Sequence, residues 1–331
     1  MKCEPLMWAM FSRRGLLFFL QWGISLAALV YALSGVDLPQ LWEALRGYAL
    51  WAMGLSLCAV MLDYACMGLR LHCLLPSGAG YALSLRAVLL CVGYNNLLPA
   101  KAGDAMKVFY LARKTNASLL DTSSVILWER LLDVLSLLCV ALLAYTLLDA
   151  EQRLVLPLLL ALGGACLFSI CRHWSAWFHA AYARFFPGRL GTLLSRLHDQ
   201  LIDKVSLPWA ARGFLLSLII WACYFASFAI SLRCVANLPL DGAQMLTVFA
   251  VTCLGMAVPS SPGGLGVFEG AMVLSLSWFG VEHNAALGIA LYVHALHFLP
   301  TALAAVLLNG SRNFWKTDNP SARVTEESCA R

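Results

Sequence analysis

Apolar stretches of about 18 or more residues, long enough to cross a hydrocarbon layer of about 30 Å as helices, recur along this chain from Gly15 to Asn309. A sequence of this kind must place most of its length in lipid, so the reading is an all-α polytopic membrane protein. Composition agrees: 61% of the residues are hydrophobic and 12% charged, with mean hydropathy +0.75, far from the roughly 25% charged content of a soluble domain. A soluble enzyme is excluded. The apolar segments take up nearly the whole length, which leaves no room for an attached globular catalytic domain, and any chemistry is expected in or against the membrane. The net charge of +5 sits in short loops between spans, where Lys and Arg report topology; no nucleic-acid partner is expected. The 12 cysteines are scattered through apolar stretches without a CxxC pair and read as small core residues. No metal and no cofactor are expected. Arg13 and Arg14 precede a run from Gly15 to Leu33 that is long and lacks a small-residue cleavage site, so it reads as a retained first span.

Full spans are expected at about 15–35, 48–69, 122–148, 154–171, 213–235 and 285–308. Two further apolar segments cannot be continuous helices. Segment 83–100 ends in Asn95, Asn96 and Pro99, and segment 243–280 is interrupted by AVPSSPGGLG from Ala257 to Gly266. Such breaks are tolerated in a membrane only where the unwound backbone is buried in protein or lines a wet cavity, so both read as re-entrant or broken-helix hairpins. With the N-terminus in the cytoplasm, nearly all of the 23 basic residues fall inside, Arg70, Lys101, Lys107, Arg113 and Lys114 among them; only Arg46, Arg153 and Arg233 fall outside. This asymmetry predicts six spans in a cell (inner or plasma) membrane with both termini cytoplasmic. The stretch from Trp174 to Lys204 mixes aromatic and basic residues and reads as an interfacial amphipathic segment or a basic topology anchor. The expected organisation is one membrane domain over 1–310, with halves of about 15–148 and 154–308, and a short cytoplasmic tail over 311–331.

The two breaks share a local pattern. Pro99 precedes Gly103 by the same four positions that separate Pro262 from Gly266, and an acid follows each, Asp104 in one copy and Glu269 in the other. One hairpin enters from the inside and the other from the outside, the relation expected of an inverted repeat.

Polar residues inside apolar segments are the candidate site. The run WERLLD places Glu129, Arg130 and Asp133 on roughly one face of a helix; near the bilayer centre each charge costs at least about 2.5–3.5 kcal/mol, so they should pair and face a cavity. They either serve a substrate or proton role or form a structural ion pair that locks this helix to its neighbours. In the first hairpin the broken backbone can offer N–H donors, and Lys101 and Lys107 their ammonium groups, to a phosphate; Asn95 and Asn96 cap the break or face a cavity, Asp104 alternates with the lysines, and Arg113 and Lys114 read as topology anchors. In the second, Ser260, Ser261, Gly263, Gly264 and Gly266 give an unwound stretch whose main chain can approach a ligand or allow close helix packing, and Glu269 beyond it can accept a proton or partner a cation. His294 and His297, three apart, read as a hydrogen-bonded pair in a bundle and not as a metal site, with no third metal ligand near them in sequence. ATP hydrolysis and the common hydrolase chemistries have no motif to support them.

Taken together, GD at Gly103 and Asp104, WERLLD, and PSSPGGLGVFEG from Pro259 to Gly270 resemble the lysylphosphatidylglycerol synthase transmembrane-region family of flippase-like integral membrane proteins. Gly103, Asp104, Glu129, Arg130, Asp133, Gly263, Gly264, Gly266 and Glu269 match its pattern, over about 15–310. The resemblance implies lipid handling, and translocation of the modified lipid in members fused to an aminoacyl-transferase domain, which this chain lacks. The expectation is a translocase for a phospholipid or polyprenyl-linked headgroup, with membrane lipids as partners. The alternatives are a membrane-embedded transferase using Asp104 or Glu269 as general base, and a non-catalytic partner of an envelope-lipid enzyme.

Overall fold

A computed structural model describes residues 13–75, 79–98, 101–148, 175–186, 188–203, 206–257 and 260–309. The expected span 154–171, the tail 311–331, and Pro99 and Pro259 lie outside these. The described residues form helices throughout: α1 (Arg13–Leu33), α2 (Leu38–Arg46), α3 (Leu50–Leu74), α4 (Tyr81–Leu97), α5 (Ala102–Thr115), α6 (Leu119–Leu148), α7 (Ser175–Phe185), α8 (Arg189–Asp203), α9 (Leu207–Ile230), α10 (Gly242–Ala257), α11 (Val267–Ser277) and α12 (His283–Asn309). Three helical stretches among them, Leu50–Leu74, Pro208–Val235 and His283–Leu308, are long and apolar enough to cross a membrane. The bent pair Gln21–Leu33 and Leu38–Arg46 brings the number to four if it acts as one span. This is a multi-pass membrane protein.

The helices gather into two compact units that do not follow the two sequence halves. Of the described residues, the first takes those within 13–61, 92–103 and 223–305; the second takes those within 62–91, 104–222 and 306–309. Long helices such as α3 and α9 therefore contribute to both.

In the first unit α1 and α2 meet at 84°. Local chemistry dictates the corner: after Gly35, the Asp37 carboxylate caps α2 by accepting from the Gln40 N–H at 3.2 Å, and a proline stands in the first turn, where its missing N–H costs nothing. Asn284 at the start of α12 fastens the corner, accepting from the Asp37 N–H at 3.0 Å and donating to Gln40 Oε1 at 2.9 Å. No residue of α2 is fully buried, and the Arg46 guanidinium lies 4.8 Å over the Trp42 ring. A short helix with one wet face and an aromatic anchor was not foreseen; the Asp37-Leu38-Pro39 signature announces it.

The segment 243–280 is broken where the sequence predicts. Helices α10 and α11 have 16 and 11 residues and pack against each other. At about 1.5 Å per residue neither spans about 30 Å. A single 3₁₀ turn, Pro262–Gly264, lies between them. Segment 83–100 also ends in a break, between α4 of 17 residues and α5 of 14. Its bend clusters with the first unit and its arms with the second. Gly93 on α4 lies so close to α12 that an added Cβ would strike the Thr301 carbonyl oxygen and stand 2.5 Å from Ala305 Cβ. Glycine is what permits this approach of two backbones.

In the second unit α7 and α8 form a hairpin tied by His179 Nε2 to Asp199 Oδ1 at 2.7 Å. Trp177, Phe185, Leu190 and Leu193 remain exposed on it. The Trp128 indole N–H donates to the Leu201 carbonyl at 3.1 Å and joins α6 to α8.

Candidate functional site

The charged residues of the WERLLD helix are held in an ion network confined to the second unit. Arg130 Nη2 donates to Asp104 Oδ1 at 2.6 Å and Nη1 to Asp133 Oδ2 at 3.2 Å. On the other side of Asp133, Arg70 Nη1 reaches Oδ1 at 2.5 Å and also donates to Ser217 Oγ at 2.8 Å. Arg70 Nη2 lies 3.5 Å from Glu129 Oε1, and Lys107 Nζ lies 2.5 Å from Glu129 Oε2. Four elements thus supply the network: α3 gives Arg70, α5 gives Asp104 and Lys107, α6 gives Glu129, Arg130 and Asp133, and α9 gives Ser217. Pairing is what makes these charges tolerable in a water-poor environment, since each would otherwise carry its full desolvation cost.

The network has a closed side and an open side. Arg70 is 1% exposed and Glu129 2%, whereas the Arg130 side chain is 40% exposed. Arg130 Nε has no hydrogen-bond partner although the atom itself is buried. The Cys91 thiol donates to Asp104 Oδ1 at 3.1 Å, so Asp104 remains partnered apart from Arg130.

Arg70 was expected in a cytoplasmic loop as a topology anchor, and this is corrected: it lies inside α3, nearly inaccessible, and joins two acids of α6. Asp63, also buried on α3, was missed as well; its Oδ1 has no hydrogen-bond partner. The signal was present in the sequence. Asp63 and Arg70 are seven residues apart, two turns along one helix face, and one acid with one base on the face of an apolar span implies a partner helix carrying charges. Lys107, expected both as an inside residue and as a phosphate ligand, is buried against Glu129.

Loss of the Lys107 ammonium leaves Glu129 short of a charge partner, so Lys107→Met should lower stability in denaturant titrations, and adding Glu129→Gln should recover part of the loss. A coupling energy of about 0.5–3 kcal/mol between the two is expected; purely additive effects would mean the pair carries no weight.

The remaining expected site residues lie in the first unit. Asn95 Oδ1 accepts from the Gly103 N–H at 2.8 Å and so spans the first break. Asn96 Nδ2 donates to Thr301 Oγ1 at 3.0 Å. Lys101 is exposed, with φ at +53°. In the second break the Ser261 N–H donates to Ser25 Oγ at 2.8 Å, and Ser261 Oγ donates to the Leu265 carbonyl at 2.9 Å; Ser260 is half-buried. Gly263, Gly264 and Gly266 all have positive φ. A Cβ on Gly263 would stand 3.2 Å from the Asn96 carbonyl oxygen, so the two breaks approach each other within this unit.

Glu269 turns back on its own helix start. Its Oε2 accepts from the Gly266 N–H at 2.8 Å, and its Oε1 lies 2.6 Å from His294 Nδ1. His297 is 3.2 Å from Ser227 Oγ, through Nε2. His294 and His297 thus have separate partners on other elements. Among the described residues no group of three His, Cys, Asp or Glu side chains is placed to hold a metal ion.

With this geometry in place, the family assignment rests on the match of a family model, Lysylphosphatidylglycerol synthase TM region, to residues 18–305. The chain belongs to that family. The match embraces both breaks, the whole ion network and the Glu269–His294 contact. A comparison with curated proteins gave no match.

Proposed function

We propose that this member of the lysylphosphatidylglycerol synthase TM region family is a lipid translocase, which moves an anionic phospholipid or polyprenyl-linked headgroup between leaflets of the inner or plasma membrane. The observation that carries the reading is Arg130. It stands in the interior of the 30-residue α6, bonded to Asp104 and Asp133, yet is 40% exposed. A structural ion pair in a membrane helix gains nothing from leaving its cation accessible, whereas a headgroup phosphate needs one that it can reach. The closed side, Arg70, Glu129 and Lys107, holds the acids in place so that Arg130 can exchange a carboxylate for a phosphate without stranding a charge.

In this reading the two broken segments are mates of an inverted repeat within six spans, both termini are cytoplasmic, and rocking of one repeat against the other forms the gate. The acyl or prenyl tails stay in the bilayer throughout. An envelope-lipid synthesis enzyme is the partner that would supply or consume the cargo.

Reconstitution in liposomes with a panel of headgroup-labelled lipids, scored by leaflet accessibility, tests the proposal. Leaflet exchange is expected for at least one anionic headgroup, and Arg130→Gln is expected to abolish it while the protein stays inserted and monodisperse. The accompanying stability loss should be about 1 kcal/mol or less, as for a partly exposed ion pair, because Asp133 keeps Arg70 and Asp104 keeps the Cys91 thiol. Full exchange by the variant removes Arg130 from the mechanism, and modification of the lipid in place of movement points to a transferase.

A further inference from the structure

The imidazole of His294 stands between two acceptors. Nδ1 is 2.6 Å from Glu269 Oε1 and Nε2 is 3.0 Å from the Gly263 carbonyl oxygen. A carbonyl can only accept, so Nε2 must carry hydrogen. The contact at Nδ1 then needs a second proton, either on Nδ1, giving imidazolium beside carboxylate, or on Glu269, giving a carboxylic acid that donates to a bare Nδ1. Either way the pair holds one proton more than a neutral histidine and an ionised glutamate together. Both residues are buried, so water does not replace the missing bond.

We infer that Glu269 and His294 form a proton-binding site, and that the bound proton latches the break at 260–266 onto α12. The balance is simple: neutral His294, ionised Glu269 and one proton give the latched pair, and release reverses this. After release one N–H must serve two acceptors. If it stays with the carboxylate, the Nε2 lone pair faces the Gly263 carbonyl and the latch opens; if it stays with the carbonyl, the carboxylate faces a bare Nδ1 and Glu269 is repelled. The rings of Phe268, at 4.7 Å, and Phe298, at 5.9 Å, flank the imidazole.

Few titratable groups face the pair from the packed elements. Glu269 comes from α11 and His297 lies one turn along α12, held by Ser227. Tyr224 of α9 stacks edge-on with His297 at 4.6 Å, and the buried Cys253 lies on α10; α1 contributes the uncharged Ser25, which caps Ser261 N–H. Among the described residues, the ion pair at the latch is that of Glu269 and His294.

Two measurements on the full-length protein in lipid nanodiscs decide the matter. Nitrogen-15 spectra of histidine-labelled protein, with infrared detection of the protonated carboxyl stretch, should show either a histidine with both ring nitrogens protonated or a buried carboxylic acid, lost from Glu269→Gln. A bare nitrogen on His294 beside an ionised Glu269, with the break still protected, overturns the inference, and this wild-type measurement stands even if a variant fails to fold. Hydrogen exchange of the Ser261, Gly264 and Gly266 amides, corrected for the intrinsic effect of pH, should accelerate at least tenfold as the proton leaves. In Glu269→Gln the side-chain amide donates to Nδ1, and in His294→Gln the two amide hydrogens can serve the Gly263 carbonyl and the Glu269 carboxylate, so in both variants exchange should become independent of pH. Exchange that keeps the wild-type pH dependence in both folded variants also overturns it.

Discussion

Arg70→Gln is expected to cost about 3–5 kcal/mol of stability, several times the effect of Arg130→Gln in the same ion network. Removing a buried cation leaves its partners as uncompensated charge in a place water does not reach, and Arg70 is 1% exposed with bonds to Asp133, Glu129 and Ser217. Asp133 retains Arg130 and Glu129 retains Lys107, but two cations no longer balance the three acids Asp104, Glu129 and Asp133. Adding Asp133→Asn to Arg70→Gln should restore most of the loss, because it removes the surplus negative charge at the site where Arg70 was closest. Denaturant titration of detergent-solubilised variants reads the ranking. If Arg70→Gln and Arg130→Gln destabilise equally, the distinction between a closed and an open side of the network is wrong, and with it the reason for assigning Arg130 to the cargo.

Gly266→Val should prevent stable assembly of α1 against α11. Two costs add at this position. Its φ of +85° strains any residue with a Cβ, and a Cβ there would strike the Ser25 carbonyl oxygen and come within 2.9 Å of Leu29 Cβ. Left-handed strain costs about 1–3 kcal/mol and overpacking a further 1–3 kcal/mol or so, so a loss of about 2–6 kcal/mol is expected. Gly280→Ala supplies the control, since its φ is +72° but nothing lies within 4 Å of the added carbon; it should show the strain cost alone, about 1–2 kcal/mol. Comparable melting of the two variants would mean that helix approach at Gly266 contributes nothing.

What the sequence made legible follows from the range of each interaction. The break at 257–266 was plain because Pro and Gly act on their own backbone, and the contact of Arg130 with Asp133 because three residues make one helical turn. The partner of Glu269 was not. His294 lies 25 residues further on, and only the return of α12 against α11 brings them together; from the sequence, Glu269 was as free to meet Arg130. Arg70 was misread for a different reason. Short basic loops and basic residues near the end of a span carry the same composition, and the rule that counts Lys and Arg as inside anchors cannot tell a residue that leaves the membrane from one that turns inward to a neighbouring helix. The acid two turns before it was the discriminating clue. Helix α2 was overlooked because it is too short and too polar to register as a span, although its cap is written in the sequence.

Arg70, Lys107 and Arg130 oppose Asp104, Glu129 and Asp133, so these six residues carry no formal net charge. A single charge moved through the full field of a membrane exchanges about 2.3 kcal/mol with every 100 mV of potential; a balanced set carried along as a body exchanges almost nothing. Helix motions that keep the six together are electrically silent. A voltage applied across a proteoliposome would then act on the headgroup and on the proton exchanged at Glu269 and His294, and the current that accompanies leaflet exchange would count the charge on the cargo plus any proton moved with it.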